Sequence, residues 1–188
     1  MRPSPALIRE SLIFLALGLL AVVMTWPLLP NAATHTADIG MDDQLLVARG
    51  IRETMDWLLG NRAGLFDATF FFPHPVAFAT TDPAFGIALM LLPFRLFTDD
   101  VLLLANLALL LTFPLTAHAT YLLVRDLTRS PAAGLLSGIA FGFCLYRAHQ
   151  LDHASILQMQ WFVYSLVTLH RIHRAQRWRD GALFTLFF

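Results

Sequence analysis

The sequence predicts an all-α protein, a polytopic bundle of transmembrane helices with a long first extracytoplasmic loop carrying amphipathic interfacial helices. Three observations predict it. Of 188 residues, 57% are hydrophobic and 14% charged, with a mean hydropathy of +0.61, too apolar for a soluble domain of this size. Apolar runs long enough to cross a bilayer recur along the chain. The arginines gather on alternate connections between those runs. All thirteen basic residues are arginines, and thirteen acidic residues balance them, so no basic excess argues for nucleic acid. The single cysteine, Cys144, offers neither a disulfide framework nor a Cys-based metal site.

The first apolar run, Ser11 to Leu29, follows Arg2 and Arg9. It exceeds a usual signal-peptide core, and Pro27 to Ala37 holds no A-x-A cleavage pattern, so it reads as a retained anchor with its amino end in the cytoplasm. Residues 30–100 form the outer loop, too long for a simple connection. From Asp43 to Leu59, Leu46, Val47, Ile51, Met55, Leu58 and Leu59 recur at helical spacing and Gly60 supplies a stop. With Trp57, this amphipathic helix would lie on the membrane surface. Phe70-Phe-Phe-Pro-His-Pro75 follows, prolines flanking His74 and disfavouring a helix, with aromatics suited to the headgroup level.

Phe85 to Phe97 is apolar but short, with Pro93 and Arg95 near its end, and reads as an interfacial or re-entrant helix. The second span is 101–124, which tolerates Pro114 because a membrane helix can satisfy the freed carbonyl. The third is 131–148, where Gly134, Gly138 and Gly142 at four-residue spacing make a ridge for close helix packing. The fourth is 154–170, and another begins at Gly181. The apolar run from Gly181 is too short to cross, so the chain reads as the amino-terminal part of one membrane domain, completed by carboxyl-terminal spans or a partner subunit. Parity holds these spans together. Arg2 and Arg9, Arg125 and Arg129, then Arg171, Arg174, Arg177 and Arg179 all fall on cytoplasmic connections only if 85–97 does not cross. Asn106, His118, Gln158 and Gln160 lie inside spans and should hydrogen-bond between helices.

Asp42 and Asp43 stand just before the predicted loop helix. Two readings are open. Either carboxylate can cap the helix, worth about 0.5 to 2 kcal/mol. Alternatively one takes a proton from a hydroxyl nucleophile while the other orients a substrate or a divalent cation.

An acidic pair near the start of a long first outer loop, followed by spans, resembles the GT-C class of membrane glycosyltransferases, which use sugars carried on polyprenyl or dolichyl phosphate. Asp42-Asp43-Gln44 matches the D-D-x form of that class's acidic motif. Leu65-Phe-Asp-Ala-Thr-Phe-Phe-Phe-Pro-His-Pro75 and Tyr146-Arg-Ala-His-Gln-Leu-Asp-His153 also resemble bacterial multi-spanning members. The resemblance implies transfer from a lipid-linked donor to an acceptor on the extracytoplasmic side of the bacterial inner membrane. It also implies Asp42 or Asp43 as the base and places His74 and Tyr146 among the substrate-binding residues.

The second outer connection, Tyr146 to His153, lies on the same predicted side as the acidic pair, so the two can converge. If it is helical, His149 and His153 share a face with Asp152 adjacent, a spacing that suits one phosphate or one metal ion. Arg147 offers a planar fork to an anionic oxygen, and with His149 or His153 would stabilise a departing lipid phosphate. The alternative is polar residues anchoring a helix end. The rival function is a non-enzymatic membrane protein, a transporter or polysaccharide-assembly subunit. It is disfavoured because the strong charges gather at the outer surface rather than at mid-membrane.

Overall fold

The computed structural model describes residues 4–37, 41–67, 71, 73, 76–175 and 178–188, with the backbone alone at 41, 42, 77 and 175. Every regular element among them is helical: α1 (Pro5–Met24), α2 (Met41–Leu58), α3 (Phe85–Leu91), α4 (Val101–Thr128), α5 (Pro131–Gly142), α6 (Leu145–Ala148), α7 (Met159–Ala175) and α8 (Trp178–Phe187), with short 3-10 turns at Leu29–Asn31, Ala77–Ala79 and Phe94–Leu96.

Local chemistry sets the helix ends. Ser4 accepts from the Leu7 N–H at 3.3 Å with Pro5 next in line, and Ser130 accepts from Ala133 N–H at 3.2 Å with Pro131 next. Both pairs use a hydroxyl to satisfy an orphan donor and a proline where no N–H is needed. By length and composition α1, α4 and the stretch Pro131–Ala148 could each cross a bilayer. The first begins and ends earlier than the apolar run 11–29, because Pro27 cannot continue the helix. α3 and its following turn do not extend far enough to cross: seven helical residues rise about 10 Å against a hydrocarbon core of about 30 Å.

The fourth expected span is displaced. Its helix runs over Met159–Ala175 instead of 154–170, since Leu151 to Leu157 are spent on turns whose Ala154 and Leu157 enter a core. The helix therefore carries His170, Arg171, His173 and Arg174 in its last turns.

The chain forms two compact units, and α4 runs through both. One comprises Leu28–Leu109 and Gln150–Leu157. Its core takes Ala48, Ile51 and Met55 from α2, Ile87, Ala88 and Leu91 from α3, and Leu104 and Ala108 from α4. Ile51 and Met55 of the apolar face of α2 are thus buried in protein, while Leu59 just past its end is 47% exposed. Trp57 meets Phe85 edge to face with centroids 5.8 Å apart. The charges around α2 are paired: buried Glu53 with Arg49 at 2.8 Å and with Arg62, and Asp56 with Arg52 at 2.9 Å. Asn106, fully buried on α4, donates to the carbonyls of Ala32 and His35, both at 2.8 Å, and accepts from Gln44 Nε2 at 3.3 Å.

The other unit comprises Met1–Pro27, Leu110–His149 and Gln158–Phe188. The glycine ridge packs as its spacing predicts. A methyl group at Gly138 would come within 2.5 Å of the Ala117 carbonyl oxygen, and one at Gly134 within 2.7 Å of the Tyr121 carbonyl oxygen. At Gly142 it would lie 2.5 Å from Ala117 Cβ. Of the in-span polar groups in this unit, Gln160 and His118 bond between helices: Thr112 Oγ1 donates to Gln160 Oε1 at 2.8 Å, and His118 Nδ1 meets the Tyr164 hydroxyl at 3.0 Å, while Gln158 falls just ahead of α7. Near the start of α1, Glu10 Oε1 accepts from Arg125 at 2.8 Å and from the Tyr121 hydroxyl at 3.4 Å.

Candidate functional site

The acidic pair is positioned by the residue after it. Gln44 is 3% exposed, accepts from the Ala37 N–H at 3.0 Å and donates to Asn106, which ties the first turn of α2 to α4. Since α2 begins at Met41, Asp43 lies within its first turn rather than ahead of it. Asp43 Oδ2 is 3.2 Å from His153 Nε2. The side chain of Asp42 and all of His74 fall outside the described residues.

His153 therefore joins the acidic motif, 110 positions away in sequence. Its other ring nitrogen, Nδ1, is 2.7 Å from Asp152 Oδ1. The imidazole is held between two carboxylates, an arrangement that fixes the ring plane. The side chains stay accessible, Asp43 at 60% and His153 at 37% exposure, so a substrate or ion can reach them. One ligand atom from each of Asp43, Asp152 and His153 lies within 4.8 Å of the others, and the three can hold a metal ion. Two carboxylate oxygens with one imidazole nitrogen suit a divalent first-row cation.

Asp43 and His153 border a cleft of about 250 Å³. Leu46, Val47 and Phe78 give it apolar lining, and Thr81, Asp82 and Ser155 join Asp43 and His153 as its polar lining. The volume falls below the roughly 300 to 1,000 Å³ of whole small-molecule pockets, which suits the reacting end of a larger ligand. Sequence reasoning missed Thr81, Asp82 and Ser155. Asp82 precedes Pro83 and reads as a turn residue, which it also is: its Oδ1 accepts from the Ala84 N–H at 2.8 Å. Only the tertiary fold carries that turn to α2.

The second outer connection differs from its expected form. α6 ends at Ala148 and turns follow, so His149 and His153 do not share a helical face. His149 is exposed at the end of α6, and Tyr146 is 61% exposed. Arg147 is not offered to an external anion. It is 2% exposed, donates to the Thr112 carbonyl and hydroxyl oxygens at 3.3 and 3.2 Å, and lies 5.1 Å from the Phe113 ring centroid. The buried guanidinium is held by carbonyl, hydroxyl and ring faces, which take the place of water around a cation. Of the expected cluster, the structure brings together Asp43 and His153, with Asp152 as their partner. The chain matches no family model, and comparisons with curated proteins and with solved structures likewise find no match.

Proposed function

We propose that this chain belongs to a membrane glycosyltransferase of the GT-C type, acting at the extracytoplasmic face of a bacterial inner membrane on a polyprenyl-phosphate-linked sugar. The observation that carries the reading is the contact of Asp43, in the D-D-x triplet, with the Asp152–His153 pair at the edge of an accessible cleft. In this reading the amino terminus is cytoplasmic, residues 30–100 face outward, and the cleft opens where a lipid-linked donor arrives from the bilayer.

Asp43 takes the proton of the acceptor hydroxyl as its oxygen bonds to the anomeric carbon. The bond from that carbon to the phosphate oxygen breaks, and the lipid phosphate leaves with the electron pair. His153, 3.2 Å from Asp43 and beside Asp152, holds the Asp43 carboxylate in place. A divalent cation held by Asp43, Asp152 and His153 would supply positive charge for the departing phosphate. Binding of the lipid tail falls to apolar surface around the cleft.

The experiment is turnover of a polyprenyl-phosphate sugar by membranes containing the full-length gene product, with and without Asp43→Asn. Transfer by the wild type and its loss in the variant are expected. Absence of transfer with every lipid-linked sugar tried overturns the proposal. The transporter reading would then gain, favoured by one observation: the buried Arg147, Thr112 and Gln160 set within apolar helices.

A further inference from the structure

We propose that a second cavity, unrelated to the acidic cleft, binds the phosphate of an anionic membrane-lipid headgroup. The cavity measures about 700 Å³ and is walled by the end of α4, the start of α5, the end of α7 and the start of α8. Five arginines line it, Arg125, Arg129, Arg171, Arg174 and Arg179, against two aspartates. Here they converge on one concavity, where mutual repulsion calls for a counter-charge.

Internal pairing leaves part of that charge unanswered. Asp126 binds Arg125 and Arg171, each at 2.8 Å. Among the described residues Arg174 reaches the Asp126 backbone carbonyl, at 3.4 Å, and no carboxylate. Arg129 and Arg179 have no carboxylate partner among the described residues. Arg129 also adopts a left-handed backbone, φ 58°, at the end of α4, where glycine would fit without strain. His170 adds a buried Nε2 with no hydrogen-bond partner among the described residues.

Guanidinium forks match phosphate oxygens in pairs, so two or three arginines here can enclose one phosphate. Position selects a lipid over a free anion. The cavity lies where α4 ends and α5 begins, both belonging to stretches able to span a bilayer, which is the level of headgroups. Leu183 gives one wall an apolar surface, and Trp178, 82% exposed at the start of α8, is the residue type that settles at that level.

The test uses the chain purified in neutral detergent and titrated in mixed micelles with phosphatidylglycerol, with phosphatidylcholine of the same tails, and with inorganic phosphate. Phosphatidylglycerol should bind and raise the thermal midpoint, phosphatidylcholine should do neither, and inorganic phosphate at equal concentration should not displace the lipid. Arg129→Gln combined with Arg179→Gln should weaken phosphatidylglycerol binding at least tenfold, while Arg49→Gln should leave it unchanged. If the double variant does not fold, Arg179→Gln alone, at an exposed position, is read in the same titration and should weaken binding severalfold. Equal binding of the two lipids, equal competition by inorganic phosphate, or unaltered binding by the variants each overturns the proposal.

Discussion

Gln44 and Asn106 face each other across 62 positions of sequence, the amide of the first donating to the side-chain oxygen of the second at 3.3 Å, both almost fully buried. Asn106 in turn holds the carbonyls of Ala32 and His35. Asn106→Leu strands two carbonyls and one amide, and should cost about 1 to 3 kcal/mol in denaturant unfolding of the detergent-solubilised protein. Adding Gln44→Leu should cost less than the sum of the two single changes, because one deletion already breaks the shared bond. Strict additivity would show that the two side chains act independently.

The close approach of Gly138 to Ala117 makes Gly138→Leu an overpacking change of about 1 to 3 kcal/mol or more. Folded yield and thermal midpoint should both drop, while a substitution at neighbouring Leu136, 72% exposed, should be tolerated. Equal effects at the two positions would mean the ridge does not pack as described.

For the acidic cleft, Asp43→Asn keeps the size of the side chain and removes proton acceptance. Turnover of a polyprenyl-phosphate sugar should fall by about a hundredfold or more with folded yield intact. Asp42→Asn is made beside it. His153→Gln should depress turnover less than Asp43→Asn, and should weaken manganese binding if the three donors hold a cation. Full turnover in both Asn variants would leave the pair a structural feature of the helix start.

Single cysteines at Asn61 and at Arg174, in a chain with Cys144 replaced, report the proposed topology. An impermeant reagent added to intact cells should label the first and not the second. Labelling of both, or the reverse, would redraw the crossings.

Helix positions and the packing role of the glycines are readable from local pattern, because a 3.6-residue period and four-residue glycine spacing are properties of one helix. The amphipathic helix over 43–59 and the apolar stretch 101–124 correspond closely to α2 and α4. Position in the fold is less readable. Apolar composition at 154–158 suggested a helix start, yet those residues fill a core as turns, and composition does not distinguish burial in protein from burial in lipid. The fork of Arg147 looked suited to an anion, but its destination depended on Thr112 and Phe113, which no spacing rule connects to it. Four-residue spacing pairs His153 with His149 on a helix, whereas in the fold it meets Asp43 from a turn. Asp82 was invisible for the same reason.

Glu10 gives α1 something its other residues lack. Leu12, Leu15, Leu19 and Val23 are all more than half exposed, and burial falls to Leu17 and Ala21, so apolar packing alone sets the position of the helix along its axis only loosely. A helix of that kind carries almost no address. One carboxylate, held by Arg125 and the Tyr121 hydroxyl, writes the address in a single character: a slip of one turn, about 5.4 Å, would break both bonds and leave the charge without its partners.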